Sequence, residues 1–231
     1  MDEKIPMDET SMQAYQVICD FCSALLYSSP NEKSFAELRD QRDLLREEPF
    51  ATIAPVAATT MADILEAADS PERIDALYHE LRQDYAYLFY MVSVSKTSPF
   101  ESVYRTEDHT LFGPTTLEVR ADYARFGLML STDESMPDDH IALEFAFLAR
   151  LFEFASGQSL ADGTTVTAAA CFDALEHFLS DHLLVFGPSY LANVEDRART
   201  PFFCSLATIT RSTLERLADE LGVQASASVV E

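Results

Sequence analysis

The sequence predicts an all-α fold, a single helical-bundle domain of about nine or ten helices. Two observations carry that expectation. Apolar residues recur at helical spacing along most of the chain, whereas strand-like alternation is confined to M-V-S-V-S at Met91–Ser95. There are only 6 glycines in 231 residues, which suits helices joined by short links better than sheets with tight turns.

Taken in order, Thr10–Ser28 reads as a helix through Tyr15, Ile18, Cys22, Leu25 and Leu26, closed by S-S-P-N. Asn31–Arg46 is a more polar amphipathic helix with Phe35, Leu38 and Leu45 inward and Asn31 as its cap. Thr52–Ala68 follows, with Pro55 near its start. Ser70-Pro71 then opens a long helix to Tyr90, serine at the cap and proline first inside. Its end, D-Y-A-Y-L-F-Y, is unusually aromatic.

Met91–Pro114 is the longest stretch without helical period, and loops of that length are often functional. Thr115–Leu130 is helical, and S-T-D-E-S turns into Met136–Phe154, the most apolar helix of the chain. There Pro137, Asp138 and Asp139 are expected to form the first turn, since proline gives up no bond and acids suit the positive helix end. Ile141, Phe145, Leu148 and Phe152 make its main stripe, with His140 and Glu144 as neighbours on the flank.

Ser156–Thr164 is a glycine-bearing break, the best candidate for a flexible link. Val166–Val185 is a further apolar helix, expected to break at Gly187-Pro188 ahead of short Ser189–Arg199 and long Phe202–Leu221 helices. One domain is thus expected over 1–221, with a disordered tail at 222–231.

The net charge of −23, from 39 acidic and 16 basic residues, repels phosphate backbones and anionic lipid, so no nucleic-acid or membrane-surface partner is expected. No segment approaches the roughly 18 uncharged apolar residues of a membrane span. The acidic N-terminus lacks the basic-then-apolar pattern of a secretory signal, which points to the cytoplasm.

Phosphate-loop, dinucleotide, H-E-x-x-H and G-x-S-x-G signatures are all missing. Cys19 and Cys22 form one C-x-x-C without a second pair, and Cys171 and Cys204 stand alone, so buried reduced thiols are expected. His79/Glu80, His177/Glu176 and His182/Asp181 are further His–carboxylate neighbours, expected at helix surfaces. His140 and Glu144 have metal-ligand spacing but make half a site. A metal-dependent helical enzyme using them, and a helical regulatory module, stay open as alternatives. A partly buried Glu144 would find a partner in Tyr123, Arg120 or Arg125, as structural support between two helices.

M-P-D-D-H-I-A-L-E-F-A-F-L-A-R-L resembles the signature (E)PDHxxxELxFMxxL of the TorD/DmsD/NarJ family of redox-enzyme maturation chaperones. Asp139, His140, Glu144 and Phe147 fit its spacing; the leading glutamate is replaced by Ser135-Met136, one aspartate is added, and Leu148 stands for methionine. Y-A-Y-L-F at Tyr85–Phe89, S-P-F-E-S-V-Y with L-F-G-P-T-T-L-E-V-R, and R-A-R-T-P-F-F-C-S-L-A-T-I-T are similar to three other family stretches, in the same order.

The resemblance implies a cytoplasmic, non-enzymatic helical chaperone without a cofactor. Its partner would be a molybdoenzyme precursor, bound through its twin-arginine signal peptide, its apo-subunit or both. Proteins that assemble the molybdenum cofactor would be further partners. Carried over by position, the peptide-binding residues are Tyr85, Leu88, Pro99, Gly113, Asp139 and His140; Tyr85 stands where some members have tryptophan. A peptide with a basic end and an apolar middle needs carboxylates beside an apolar groove. On that reading Asp139 meets an arginine at the edge of a groove lined by Tyr85, Leu88 and the Pro99 loop. Asp139→Ala should then weaken binding with little loss of stability.

Overall fold

Side-chain caps set where most of the helices begin. In the structure, a computed structural model describing residues 6–92, 96–130 and 136–226, α1 (Glu9–Tyr27) starts after Asp8, whose carboxylate accepts the Ser11 N–H at 2.8 Å. Asn31 and Ser34 form a capping box ahead of α2 (Glu32–Asp40). Short α3 (Phe50–Ile53) leads into α4 (Pro55–Ala67), and Ser70 caps α5 (Pro71–Tyr85). One-turn α6 (Ser102–Arg105) and α7 (Pro114–Arg125) precede the central helix α8 (Ile141–Ala155). Thr167 caps α9 (Ala168–Phe178), α10 spans Leu184–Arg197, and Thr200 caps α11 (Pro201–Leu221). Gly222, at φ 71°, closes α11 in the left-handed conformation that lets the Val223 N–H reach the Ala218 carbonyl.

Among the described residues there is no sheet, only isolated bridges at Phe100–His140 and Ser159–Thr165. The all-α expectation holds. α8 is the centre of the bundle and lies along α1, with Tyr15 stacked on Phe152 at 5.5 Å. Phe145, Leu148, Leu151 and Phe152 are fully buried, each worth about 1.5–3 kcal/mol against exposure. α11 packs on α10 and α4. Asp84, buried near the end of α5, ties that helix to α11 by accepting the Arg199 and Thr200 N–H groups and the Thr200 hydroxyl at 2.7–3.1 Å.

Six elements differ from expectation. Asn31–Arg46 is α2 followed by a 3₁₀ turn at Arg42–Arg46. The long helix to Tyr90 loosens into a π-helical turn at Ala86–Tyr90, and the expected Val166–Val185 helix does the same at Leu179–Leu183. α7 stops at Arg125, where Phe126 and Gly127 (φ 65°) fold back on Tyr123 and Ala124. α10 runs straight through Gly187-Pro188. Pro188 lies four residues after Leu184, where α10 resumes from the π turn, and Gly187 lets α10 press on α11. A β-carbon at Gly187 would stand 2.9 Å from Leu214 Cδ2. Finally, α8 begins at Ile141, not Pro137.

The turn expected at Ser131–Ser135 and residues 93–95 of the alternating stretch lie outside the described residues. Of the expected disordered tail, 222–226 are described, with the Ser226 N–H donating to the Ser180 carbonyl at 2.9 Å, and 227–231 lie outside.

Candidate functional site

Pro137–Asp139 do not form the first turn of α8 because their polar groups are engaged elsewhere. The cap is His140, whose Nδ1 accepts the Ala142 N–H at 3.1 Å. That bond fixes Nδ1 as unprotonated, and burial lowers the imidazole pKa to about 4. Phe100 pairs with His140 across an antiparallel bridge: the Glu101 N–H donates to the Asp139 carbonyl at 3.0 Å, and the Ile141 N–H to the Pro99 carbonyl at 2.8 Å. Phe100 and Tyr27 meet the His140 ring edge-on at 5.1 and 6.2 Å.

Asp139 has no exposed surface. Its carboxylate accepts the Ser102 N–H at 2.8 Å and the Thr116 hydroxyl at 2.9 Å, joining α6 and α7 to the start of α8. Asp138 takes the Arg120 guanidinium at 2.6 and 3.0 Å, and its carbonyl accepts the Tyr123 hydroxyl at 3.1 Å. The acid pair that resembled helix-dipole chemistry is a hub of side-chain acceptors.

Residues 97–105 therefore form a strap across the start of α8. Thr97 donates its hydroxyl to the Leu88 carbonyl, and Tyr104 donates to Ser98 O at 2.9 Å. Glu101, fully buried, meets His182 Nδ1 at 2.8 Å, and His182 Nε2 stands 3.4 Å from Asp122 Oδ2. Burial alone would lower the His182 pKa; the bonds and charges of Asp122 and Glu101 outweigh it and lift it to about 9. Arg105 donates to Asp181 O at 3.0 Å and lies 3.5 Å from Glu101. His182, expected at a helix surface, is thus an interior cation between the strap, α7 and the π turn.

Glu144 is the exception to this pairing. Tyr123 and Arg120 are engaged by Asp138, and Arg125 by Asp122, so the partners expected for Glu144 are taken. Neither of its carboxyl oxygens has a hydrogen-bond partner among the described residues. Burial, and then the charges of Glu101 and Asp139, push its pKa well above the usual carboxylate range, which favours the protonated carboxyl. It is an unpaired acid in the core, not a bridge between helices.

With this geometry in view, the nitrate reductase delta subunit family matches residues 47–192. The chain belongs to that family. It is similar to the Chaperone protein YcdY of Escherichia coli K12, with 25% identity over 210 residues covering 91% of this chain and 97% of the relative. The Chaperone protein TorD of Shewanella loihica is 24% identical over 226 residues, 95% of this chain and 97% of that protein. The "Probable Tat proofreading chaperone DmsD" of Haemophilus influenzae is 25% identical over 140 residues, 61% of each chain.

Of the positions carried over from the family, Pro99, Asp139 and His140 are brought together and all three are buried, Pro99 within the strap and the other two beneath it. Leu88 joins them through its carbonyl. Gly113, half-exposed, lies against Ser102 and Thr106 at the far end of α6. Tyr85, buried, donates to the Leu26 carbonyl at 3.0 Å and packs on Phe89 and Phe203. The groove expected among Tyr85, Leu88 and Pro99 is closed in this structure.

Open apolar surface lies next door. A cleft of about 800 Å³ between α1 and α2 is lined by Phe21, Leu25, Tyr27, Leu38, Met129 and Leu143, and Tyr27 carries it to the edge of His140. Sequence reasoning missed Glu101, Ser102, Thr116, Asp122 and the interior role of His182. The one signal for Glu101 was its place in S-P-F-E-S-V-Y; the others enter through contacts 23 to 81 residues apart.

Proposed function

We propose that this chain is a cytoplasmic, non-enzymatic redox-enzyme maturation chaperone. It binds the precursor of a molybdenum-containing oxidoreductase through the twin-arginine signal peptide, the apo-subunit or both, and keeps it from export until its cofactor is inserted. The observation that carries this reading is membership of a family whose relatives are named as chaperones, one of them for Tat proofreading.

The chemistry of the chain supports it. A cleft of apolar side chains runs to the edge of an acid-rich turn, matching a peptide with an apolar middle and a basic end. The net charge of −23 would speed encounter with a basic peptide, an effect that salt screens. No helix of the described residues is long and apolar enough to cross a membrane. For the metal-enzyme alternative, His140 Nδ1 is committed to the helix cap, which leaves Nε2 as the one ring nitrogen that could serve as a ligand.

Calorimetric titration with a synthetic signal peptide tests the reading. The peptide should bind, and replacing its two arginines by glutamine should weaken it severalfold. Equal affinity of the two peptides would remove the twin-arginine part of the proposal, and no binding of either would remove the signal peptide as ligand.

A further inference from the structure

The contact between the strap and α8 is bonded along its backbone but leaves several side-chain atoms unpaired. Glu101 Oε1, the Ser102 hydroxyl and both carboxyl oxygens of Glu144 are buried without a hydrogen-bond partner. Each such group costs on the order of 1–3 kcal/mol, and groups like these in a native structure call for an explanation. The unpaired atoms sit where the strap covers Asp139. Backbone strain flanks the same segment: Lys96 ahead of the strap and His109 just beyond it hold positive φ, 58° and 50°, which side-chain-bearing residues rarely adopt. Segments with strained ends and unpaired buried groups are candidates for local opening, at the cost here of the strap's bonds to Asp139, Ile141 and His182.

Three of the four unpaired atoms are carboxyl oxygens. Both oxygens of Glu144 lack a hydrogen-bond donor, Glu101 Oε1 has only the Arg105 guanidinium at 3.5 Å, and Asp139 spends its oxygens on the strap and Thr116. If the strap lifts, Asp139 loses the Ser102 N–H and Glu144 gains access to solvent. Two acids five positions apart at the start of one helix would then face outward, short of donors. A guanidinium supplies five N–H donors and one positive charge.

We propose that Glu144 is a concealed guanidinium-binding residue: the strap 97–105 swings off the start of α8, and Glu144, together with Asp139, takes an arginine side chain of the incoming peptide. This rests on the reading of the chain as a signal-peptide receptor and adds to it a specific acceptor and a closed resting state. The closed strap keeps the acids from binding cations unselectively. The arginine offsets opening by pairing the Glu144 oxygens, which have no donor beforehand, and by taking the place of the Ser102 N–H on Asp139.

The binding step moves a proton. In the closed state burial and the charges of Glu101 and Asp139 favour the protonated form of Glu144, with Arg105 as the opposing cation and Tyr123 as the neighbouring hydroxyl. Pairing with a guanidinium, which stays charged, requires Glu144 to ionise. One proton therefore leaves the carboxyl for solvent per arginine bound, and affinity rises with pH.

The test is calorimetric titration of the full chain at pH 7 in two buffers of different ionisation enthalpy. The probe is a synthetic peptide with two consecutive arginines ahead of an apolar run of about twelve residues. The inference expects release of about one proton per peptide, from the single ionisation above. Glu144→Gln, isosteric with the neutral acid, should keep the melting temperature, abolish the proton release and weaken the arginine peptide about 10- to 150-fold. A control peptide with both arginines replaced by glutamine should bind wild type and variant alike. Binding of the arginine peptide with no proton exchange, or with equal affinity for both proteins, overturns the inference and leaves the proposed function standing. No binding of the arginine peptide to wild type overturns both. The proton count on the wild type decides the matter even if the variant fails to fold.

Discussion

Replacing Asp139 with alanine should cost about 3–5 kcal/mol of folding free energy, from two hydrogen bonds to an acidic acceptor at about 1.5–3 kcal/mol each, less some relaxation. The side chain has no exposed surface, and it accepts the Ser102 N–H at 2.8 Å and the Thr116 hydroxyl at 2.9 Å. Truncation would leave both donors buried and unpaired, and that is a large part of the 5–15 kcal/mol that typically separates folded from unfolded chains. In urea, with a slope of about 2–3 kcal/mol per molar for a chain of this size, the midpoint should fall by roughly 1–2 M. Asp139→Asn, which keeps one acceptor, should lose less. A double-mutant cycle with Thr116→Val should return a coupling of about 1 kcal/mol or more. A midpoint shift under about 0.3 M for Asp139→Ala would refute the reasoning, since that is under about 1 kcal/mol at this slope. The prediction reverses the expectation from sequence that this change would spare stability, so a lost peptide affinity in this variant must be read beside its melting curve.

Three further changes probe the same framework. With its pKa lowered to about 4 from the usual 6.5, His140 stays neutral while the unfolded chain takes a proton, so its contribution is complete above pH 6.5 and is lost as pH falls toward 4. His140→Asn keeps a cap acceptor and should remove about 2 kcal/mol of that pH dependence in urea melts at pH 7 and pH 4.5; parallel pH profiles would contradict it. His182 has the opposite sign, its pKa raised to about 9, so its contribution is full below pH 6.5 and is lost as pH rises through 9. Wild type should therefore lose more stability than His182→Gln between pH 7 and pH 9.5. Gly187→Ala places a carbon 2.9 Å from Leu214 Cδ2 and should cost about 1–3 kcal/mol, read from the thermal midpoint.

Periodicity alone located α1, α5, α8 and α11 to within a few residues at most ends, because each buries one continuous apolar arc and begins at a short polar cap. It failed where tertiary contacts overrule local preference. Gly187-Pro188 looks like a helix break, yet close packing on Leu214 uses the glycine and the preceding π turn accommodates the proline. Pro137-Asp138-Asp139 looks like a helix start, but the donors that claim the two acids come from Ser102, Thr116 and Arg120, distant in sequence. The same blindness hid the site. His140, Asp139 and Pro99 were singled out, and they do meet; that a strap closes over them, anchored by Glu101 on His182, depends on a contact 81 residues long. Glu144 was expected to be paired because burial usually demands it. Its isolation is visible only once every candidate partner is seen to be engaged elsewhere.

The central claim is that this chain holds a molybdoenzyme precursor before export. Recovering the tagged full-length chain from its own host, and identifying what comes with it by mass spectrometry, tests that claim most directly. The account predicts enrichment of one oxidoreductase that retains its uncleaved twin-arginine signal peptide and lacks its molybdenum cofactor, lost when the arginine pair is changed to glutamine. Recovery without any such precursor, or of a mature cofactor-loaded enzyme independent of the arginine pair, would contradict it.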